Sequence, residues 1–274
     1  TTYSDGRLSP SELLTLCVER GLDTVAVTDH DTTSGLDECE IIASEKGLDF
    51  IPGIEFGAKA QRGEIHILGY FIDKNFPLLQ AVLSDLQEDR KTRAERMVEL
   101  LCQTGTSVSW DRVSELAAGG SVGRPHIAQA LVEEGYASHP KDAFDRLINW
   151  KAPAYVPRKL IQPKEAVDLI KGSGGLAVLA HPLESKAKSG RREIFGLETT
   201  IASLVDFGIV GIEAYYGDYS PEQVERVVSL ANKYGLIPCG GSDYHAAGNP
   251  IEPEPGDIGP PIESIELLKN LKSN

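Results

Sequence analysis

The sequence predicts an α/β protein with a mostly parallel sheet and an all-helical segment in its middle. Short apolar runs alternate with amphipathic helical patterns, which is typical of βαβ units. The alternation stops between about Pro77 and Trp150, where helical patterns continue and no run is typical of a strand. At 274 residues, the chain is long enough for one α/β barrel, or for one domain that carries an insertion.

Helix starts are marked by a recurring arrangement of residues. Ser9–Glu12 combines an N-cap serine, a proline at the first helical position and a glutamate at the third, which together form a capping box. Similar arrangements at Gln162 and Ser220 predict two more helices, and Gly235 marks the end of the last one. A short apolar run follows each of these three helices. With three further runs, the predicted strands are Thr24–Thr28, Phe50–Ile54, Ile65–Phe71, Leu176–Ala180, Ile209–Ile212 and Leu236–Cys239.

The middle of the chain is predicted to be an all-helical insertion, residues 77–150, between two parts of a barrel, residues 1–76 and residues 151–274. The first helix of this insertion is long and heavily charged, and three shorter helices follow it. Another helix is expected near the end of the sequence. These predicted helices are Leu78–Thr104, Trp110–Ala118, Pro125–Glu134, Lys141–Asn149 and Glu263–Leu271.

The overall charge and the cysteines narrow the class of protein. A formal net charge of −14 argues against binding to extended duplex nucleic acid, although bound metal ions would let an acidic protein hold a phosphorylated substrate. No apolar run approaches the length of a membrane span, so no membrane partner is expected. The four scattered cysteines show no C-x-x-C spacing and are typical of reduced thiols in a cytoplasmic protein: Cys17, Cys39, Cys102 and Cys239.

Acidic and histidine side chains collect at the predicted strands. The first strand runs into Asp29-His30-Asp31, and four of the six histidines fall at or beside strands. Because the carboxyl ends of parallel strands and their loops converge at one edge, we expect these side chains to share a rim. Mixed imidazole and carboxylate groups suit Zn, Mn or Fe, and several together suit a multinuclear site. The side chains concerned are Asp29, His30, Asp31, Glu55, His66, His181, Glu213, Asp243 and His245.

Each of these residues also has a simpler interpretation. An aspartate after the first strand could cap the helix that starts near Ser34, Asp243 could cap a turn, and Glu55 could pair with an arginine. His139-Pro140 repeats the His181-Pro182 dipeptide, but no strand precedes it. We therefore assign His139 to helix capping rather than to the rim.

Taken as an ordered set, the motifs resemble those of the PHP (polymerase and histidinol phosphatase) domain family. Within that family they are most similar to the TrpH-like metal-dependent phosphoesterases that act on nucleotides. The resemblance spans nearly the whole chain and includes the predicted insertion. The matching segments are TTYSDG at Thr1–Gly6, TDHDT at Thr28–Thr32, PGIEF at Pro52–Phe56, IHILGY at Ile65–Tyr70, GRPHIAQAL at Gly123–Leu131, AHP at Ala180–Pro182 and GGSDYH at Gly240–His245.

The resemblance implies a distorted (βα)7 TIM-like barrel with two or three divalent metal ions, Mn²⁺, Zn²⁺, Fe²⁺ or Mg²⁺, at its C-terminal rim. Asp29 and Asp31 are then expected to support or cap, because the motif gives ligation to the imidazole between them. The implied ligands are Asp5, His30 and His245 for one metal, Glu55, His66 and His181 for a second, and Glu55 with Asp243 for a third.

One part of the family pattern is missing from the sequence. The family completes the third metal site with an H-x-H pair immediately before the segment that matches Thr1–Gly6, and this sequence begins at Thr1. Either the sequence is truncated or the third site is defective. We expect truncation, because the first barrel strand would be lost together with the motif and would leave an open edge.

The resemblance also implies hydrolysis of a phosphate ester of nucleotides. The substrates expected from related proteins are nucleoside 3′,5′-bisphosphates and the 5′ ends of short RNAs. No G-x-S-x-G elbow is present, so the expected nucleophile is a metal-activated hydroxide and not a protein side chain. Arg124 and His126, at the start of a helix, are candidates to bind a second phosphate, with Arg158 and Lys159 as weaker candidates.

Three alternatives remain open from the sequence. A phosphatase for a small non-nucleotide ester, of the histidinol-phosphate type, would not need the helical insertion. A catalytically impaired metal-binding PHP module would be consistent with the missing H-x-H pair. An amidohydrolase barrel would normally need a metal-bridging carboxylated lysine, and no lysine lies at a predicted strand end.

Overall fold

A computed structural model describes residues 1–117, 120–183, 193–246, 248 and 252–273, and six strands in these ranges form one curled sheet. The α/β class predicted from the sequence is confirmed. The strands are β1 Thr24–Val27, β2 Asp49–Lys59, β3 Glu64–Tyr70, β4 Leu176–Leu179, β5 Gly211–Tyr216 and β6 Ile237–Gly241. The helices are α1 Pro10–Glu19, α2 Leu36–Lys46, α3 Pro77–Gln103, α4 Trp110–Leu116, α5 Arg124–Glu133, α6 Pro140–Arg146, α7 Pro163–Gly172, α8 Leu197–Phe207, α9 Pro221–Tyr234 and α10 Ile262–Ser273.

The order of the strands in the sheet follows their order in the chain. Strand β1 pairs parallel with β2, and β4, β5 and β6 pair parallel with one another. Strand β3 is antiparallel to both of its neighbours, β2 and β4. Only residues 60–63 join β2 to β3, which is enough for a hairpin and too few for a parallel crossover. As a result, β3 begins at the edge of the sheet where its neighbours end.

Strands β2 and β5 continue well past the ends of their apolar runs. Strand β2 continues to Lys59 because its second half pairs with β3 along the hairpin. Strand β5 continues to Tyr216 because it pairs with β6 through a bulge. Glu55 and Glu213 therefore lie inside strands and not after them.

The helices begin where the capping residues predict. Ser9 caps α1 through the reciprocal bonds of a capping box with Glu12, and Ser220 caps α9, which ends at Gly235 in the left-handed conformation. Helix α8 was not predicted from the sequence. Its apolar residues Leu197, Ile201 and Leu204 follow the i, i+4, i+7 spacing and are buried, so the signal was present in the sequence.

After β3, helices α3 to α6 bury an apolar cluster of their own, which includes Met97 and Leu131. Helix α3 is 27 residues long and spans about 40 Å. Near its start, Leu79 and Leu83 pack into the core beside the sheet, so this helix joins the two apolar clusters. Helix α4 ends at Leu116, and Ala118, the predicted end, lies outside the described residues. The domain limits at residues 76 and 150 stay a prediction.

The long helix α3 carries many charged residues, and none of the described helices has the length and apolar composition that crossing a membrane requires.

The four cysteines give a direct test of the packing. Cys17, Cys39 and Cys239 are buried, whereas Cys102 is exposed on α3. Burial raises the pKa of the Cys17 thiol to about 11 and that of Cys39 to about 12, so neither forms much thiolate near neutral pH. We expect one thiol to react rapidly with Ellman's reagent in the native protein and four after unfolding. Cys102→Ser should remove the rapid reaction, and a second rapid thiol would contradict the packing.

Candidate metal centre

A buried carboxylate, Glu55, lies among three imidazoles. Its Oε1 atom is 2.5 Å from Nδ1 of His66 and 3.0 Å from Nε2 of His181. Its Oε2 atom is 3.6 Å from Nδ1 of His30. The four side chains come from β2, β3 and the segments that follow β4 and β1. The structure therefore brings together all three residues predicted for one metal, Glu55, His66 and His181, and places His30 beside them.

The pairing of the strands explains this convergence. Beyond the end of β1, the backbone pairing with β2 continues through a bridge between His30 and Glu55. The Asp31 amide donates to the Glu55 carbonyl at 3.0 Å, and the Glu55 amide donates to the Asp29 carbonyl at 3.2 Å. His66 is the third residue of β3, and because β3 is antiparallel its first residues lie at this same edge.

A second group of candidate ligands contains Asp5, His30 and His245, and one ligand atom from each lies within 4.8 Å of the others. Nε2 of His245 is 3.4 Å from Oδ1 of Asp5. The loop that carries Asp5 is held by Asp29, which accepts hydrogen bonds from the hydroxyls of Ser4 and Thr1, each at 2.7 Å. Asp29 thus holds the loop that carries Asp5.

Two further acidic residues are tied to the same edge. Asp243 accepts a hydrogen bond from the Tyr216 hydroxyl at 2.7 Å, and its Oδ1 atom is 3.7 Å from Nδ1 of His245. Glu213 accepts a hydrogen bond from the backbone amide of His181 at 2.9 Å, and so holds that histidine in place. Tyr216, fully buried on β5, was missed in the sequence because a tyrosine in an apolar strand is typical of core packing.

The backbone at the site adopts unfavourable conformations. Asp31 has φ of 51°, His181 has φ of 26°, and Asp243 has φ of 51°. Residues other than glycine occupy this left-handed region rarely, and such positions cluster at functional sites. Three of the five non-glycine residues with positive φ in the described ranges lie at this edge of the sheet.

The ionisation of the site reflects its charge pairing. Burial raises the pKa of Glu55, but the neighbouring His30 and His66 outweigh burial and hold that pKa well below its usual range. Burial lowers the pKa of His66, but Glu55 and Glu64 more than compensate and raise it to about 9. For His30, burial dominates and the pKa is lowered.

These residues fit divalent transition-metal ions. Among the residues that the structure describes, the buried Nδ1 atom of His30 has no hydrogen-bond partner. Nδ1 of His66 and Nε2 of His181 are 3.1 Å apart, and both face the same oxygen of Glu55. Convergent imidazole nitrogens around a carboxylate are the donor set that Zn, Mn and Fe prefer. A cavity of about 330 Å³ also reaches Asp5, His30, Glu55 and His181 and leaves room for ions.

Arginines from the helical segment and from the chain that follows it approach the same edge. Asp31 accepts two hydrogen bonds from Arg90 of α3, at 2.8 and 2.5 Å. Arg158 lies 3.9 Å from Asp31 and also pairs with Glu64. Gly57 makes room for Arg158, because a Cβ atom at this position would lie 1.4 Å from its guanidinium. These arginines are distant in sequence from the residues they contact at this edge.

The residues predicted to bind a second phosphate take different positions. Arg124 is half-buried at the start of α5, with its guanidinium over the rings of Phe144 and Tyr155 at 5.3 and 5.8 Å. His126 is buried, accepts a hydrogen bond from the Gly123 amide at 3.0 Å, and also bonds the backbone of Ser4. His126 therefore links α5 to the loop that carries Asp5.

Lys159 and His139 make different contacts. The Lys159 side chain is exposed, and its backbone amide donates to Asp89 at 2.9 Å. His139 is the N-cap of α6 and accepts from the Asp142 amide at 3.1 Å, so the assignment of His139 to capping is confirmed.

Known proteins place the chain in a family. The PHP domain model matches residues 1–151. The chain is 35% identical over 249 residues to the 5′-3′ exoribonuclease Rnm of Escherichia coli, covering 89% of this chain and 83% of the relative. It is 32% identical over 246 residues to a 3′,5′-nucleoside bisphosphate phosphatase of Chromobacterium violaceum, covering 89% and 85%.

A solved structure agrees with these relatives. A protein from Bifidobacterium adolescentis, assigned as a metal-dependent phosphoesterase, matches with a TM-score of 0.89 and 30% identity, over 98% of this chain and 92% of that one. The match therefore covers nearly the whole chain, including the helical segment. The chain therefore belongs to the PHP domain family and is a hydrolase.

Proposed function

We propose that this hydrolase cleaves a phosphate ester of nucleotides that carry a second phosphate, either a nucleoside 3′,5′-bisphosphate or the 5′ end of a short RNA. The observation that supports this most is the convergence of Glu55, His66 and His181, with His30 shared between them and the group that contains Asp5. The names of the relatives from Escherichia coli and Chromobacterium violaceum agree with it.

The proposed ligands are the seven residues expected from the sequence. Two or three divalent ions held there would bind the phosphate oxygens and supply a hydroxide nucleophile. Among the chain's own groups, Glu55 offers two oxygens that face different imidazoles, so both oxygens would be available to hold metal ions. Tyr216 holds Asp243, and Glu213 holds the backbone of His181. The ligands are Asp5, His30, Glu55, His66, His181, Asp243 and His245.

The second phosphate is proposed to bind beside Tyr155. Arg124 and Arg93 both lie over this ring, and in the described part of the chain neither forms an ion pair with a carboxylate. Burial, together with the nearby Arg158 and Arg90, lowers the pKa of Arg124. A half-buried cluster of like charges is stabilised by an anion, and a phosphate provides it. His126 is proposed to act indirectly, by linking α5 to the loop that carries Asp5. Lys159 is proposed to act through its backbone amide, which ties the chain after α6 to Asp89 of α3.

The proposal also includes the type of barrel and the location of the protein. We propose that the six strands belong to a distorted (βα)7 barrel, since the curled sheet and the similar solved structure agree with it. The four unpaired cysteines favour a reducing, cytoplasmic location.

The enzymatic proposal is tested by phosphate release from adenosine 3′,5′-bisphosphate in the presence of Mn²⁺. His66→Ala removes a proposed ligand, so we expect kcat/KM to fall by about 100-fold or more. The matched control is His139→Ala, which removes a histidine from the exposed N-cap of α6 and should retain wild-type turnover. No turnover by the wild type of either this bisphosphate or a short 5′-phosphorylated RNA, or equal turnover by both variants, would refute the proposal.

The second-phosphate proposal is tested by comparing a bisphosphate with the corresponding monophosphate. Arg124→Met should lower kcat/KM for the bisphosphate by about 10- to 100-fold, the value of a charged hydrogen bond, and change the monophosphate little. Arg112→Met serves as the control. Arg112 is an exposed residue of α4 that pairs with Glu133 of α5. Equal losses for both substrates would show that Arg124 does not recognise the second phosphate.

A further inference from the structure

Glu64, which the family motifs do not include, contacts a candidate metal ligand. It is the first residue of β3, and residues two apart on a strand point to the same side. Its Oε1 atom is 2.7 Å from Nε2 of His66. The Glu64 side chain is 31% exposed, whereas that of His66 is 14% exposed, so the carboxylate lies on the outer edge of the imidazole, at Nε2.

The opposite edge of the His66 ring faces the metal centre. Its Nδ1 atom is 2.5 Å from Oε1 of Glu55 and 3.1 Å from Nε2 of His181. A neutral imidazole has one N–H and one lone pair. In the metal-free structure both ring nitrogens face a carboxylate oxygen, Nδ1 that of Glu55 and Nε2 that of Glu64, so an imidazolium can donate to both. If a metal ion took the place of the proton on Nδ1, Glu64, which can only accept, would keep the remaining proton on Nε2.

Glu64 is itself held in place by the helical side of the molecule. Arg158 pairs with it and lies across Gly57, the residue opposite His66 in the β2–β3 register. Arg158 also approaches Asp31, which is bound by Arg90. Alternating charges therefore run from α3 to the His66 imidazole. This arrangement holds the Glu64 side chain in one rotamer. A surface glutamate without such partners would sample several rotamers.

We propose that Glu64 is a positioning residue of the metal centre, which accepts a hydrogen bond from Nε2–H of His66 and so presents Nδ1 of His66 to a metal ion. The inference rests on the proposed function, because it requires that His66 bind a metal. Carboxylates that orient a ligating histidine typically change metal affinity by about 10- to 100-fold when removed.

The test measures metal binding without substrate. Protein freed of metal is titrated with Zn²⁺ against a competing chelator, for the wild type, Glu64→Ala and Glu64→Gln. We expect Glu64→Ala to bind the weakest equivalent of zinc about 10- to 100-fold less tightly. Glu64→Gln keeps an acceptor oxygen, so its zinc affinity should fall by less than that of Glu64→Ala. Glu115→Ala, which removes an exposed partner of Arg112, is the control and should match the wild type.

A spectroscopic measurement separates positioning from a general loss of structure. In the zinc-loaded wild type, long-range ¹H–¹⁵N correlation spectra should show His66 protonated at Nε2 and not at Nδ1. Thermal unfolding of the metal-free proteins should be similar for the wild type and the variants, while zinc affinity differs.

The outcomes distinguish the two proposals. A wild type that binds no divalent ion would overturn both the proposed function and the role of Glu64. A wild type that binds zinc, with Glu64→Ala of equal affinity, would overturn only the role of Glu64. If Glu64→Ala does not fold, the spectrum of the wild type decides, because a zinc-loaded His66 protonated at Nδ1 contradicts the proposal.

Discussion

The burial of Glu55 is the constraint on which the rest of the site depends. A carboxylate removed from water is costly unless positive charge or hydrogen bonds surround it. Here the compensating groups are His30, His66 and His181, which come from three other segments of the chain. These segments must therefore stay in register for Glu55 to stay ionised. The same requirement makes the cluster suited to metal ions, since each ion brings the charge that the buried carboxylate needs.

The antiparallel strand β3 makes this arrangement possible. In a fully parallel sheet, His66, near the start of its strand, would lie at the edge opposite the carboxyl ends. The short hairpin after β2 reverses the direction and brings His66 to the edge shared by His30 and His181. It also brings Glu64 to this edge, because Glu64 lies two residues before His66 on the same strand. A single reversal thus supplies both a proposed ligand and the carboxylate that orients it.

What could be predicted depended on how local the signal was. Capping boxes, apolar runs and the histidines and carboxylates at strands are local, and they led to the α/β class and to residues that converge in the structure. The contacts of Asp31 with Arg90 and Arg158 join residues 59 and 127 positions apart, and no sequence pattern links them. Tyr216 looked like a core residue, and it is one, but its hydroxyl also holds Asp243. A role that depends on one polar atom of a mostly apolar side chain does not change the hydrophobic pattern of the sequence, so the pattern cannot predict it.

The helical segment resolves how so acidic a chain can attract a nucleotide. With a net charge of −14, the average surface repels phosphate, so binding depends on where the cations lie. Some arginines are neutralised, as Arg90 is by Asp31, and these build the edge of the site. Arg93 and Arg124, stacked over Tyr155, form no ion pair within the described residues and keep their charge available. The two kinds of arginine differ in their neighbours: Arg90 lies beside a carboxylate, whereas Arg93 and Arg124 lie beside an aromatic ring. Under the proposed function, the ligands on the sheet and these guanidiniums on the helices would serve two different phosphates, and α3 links the two parts because it packs into both apolar clusters.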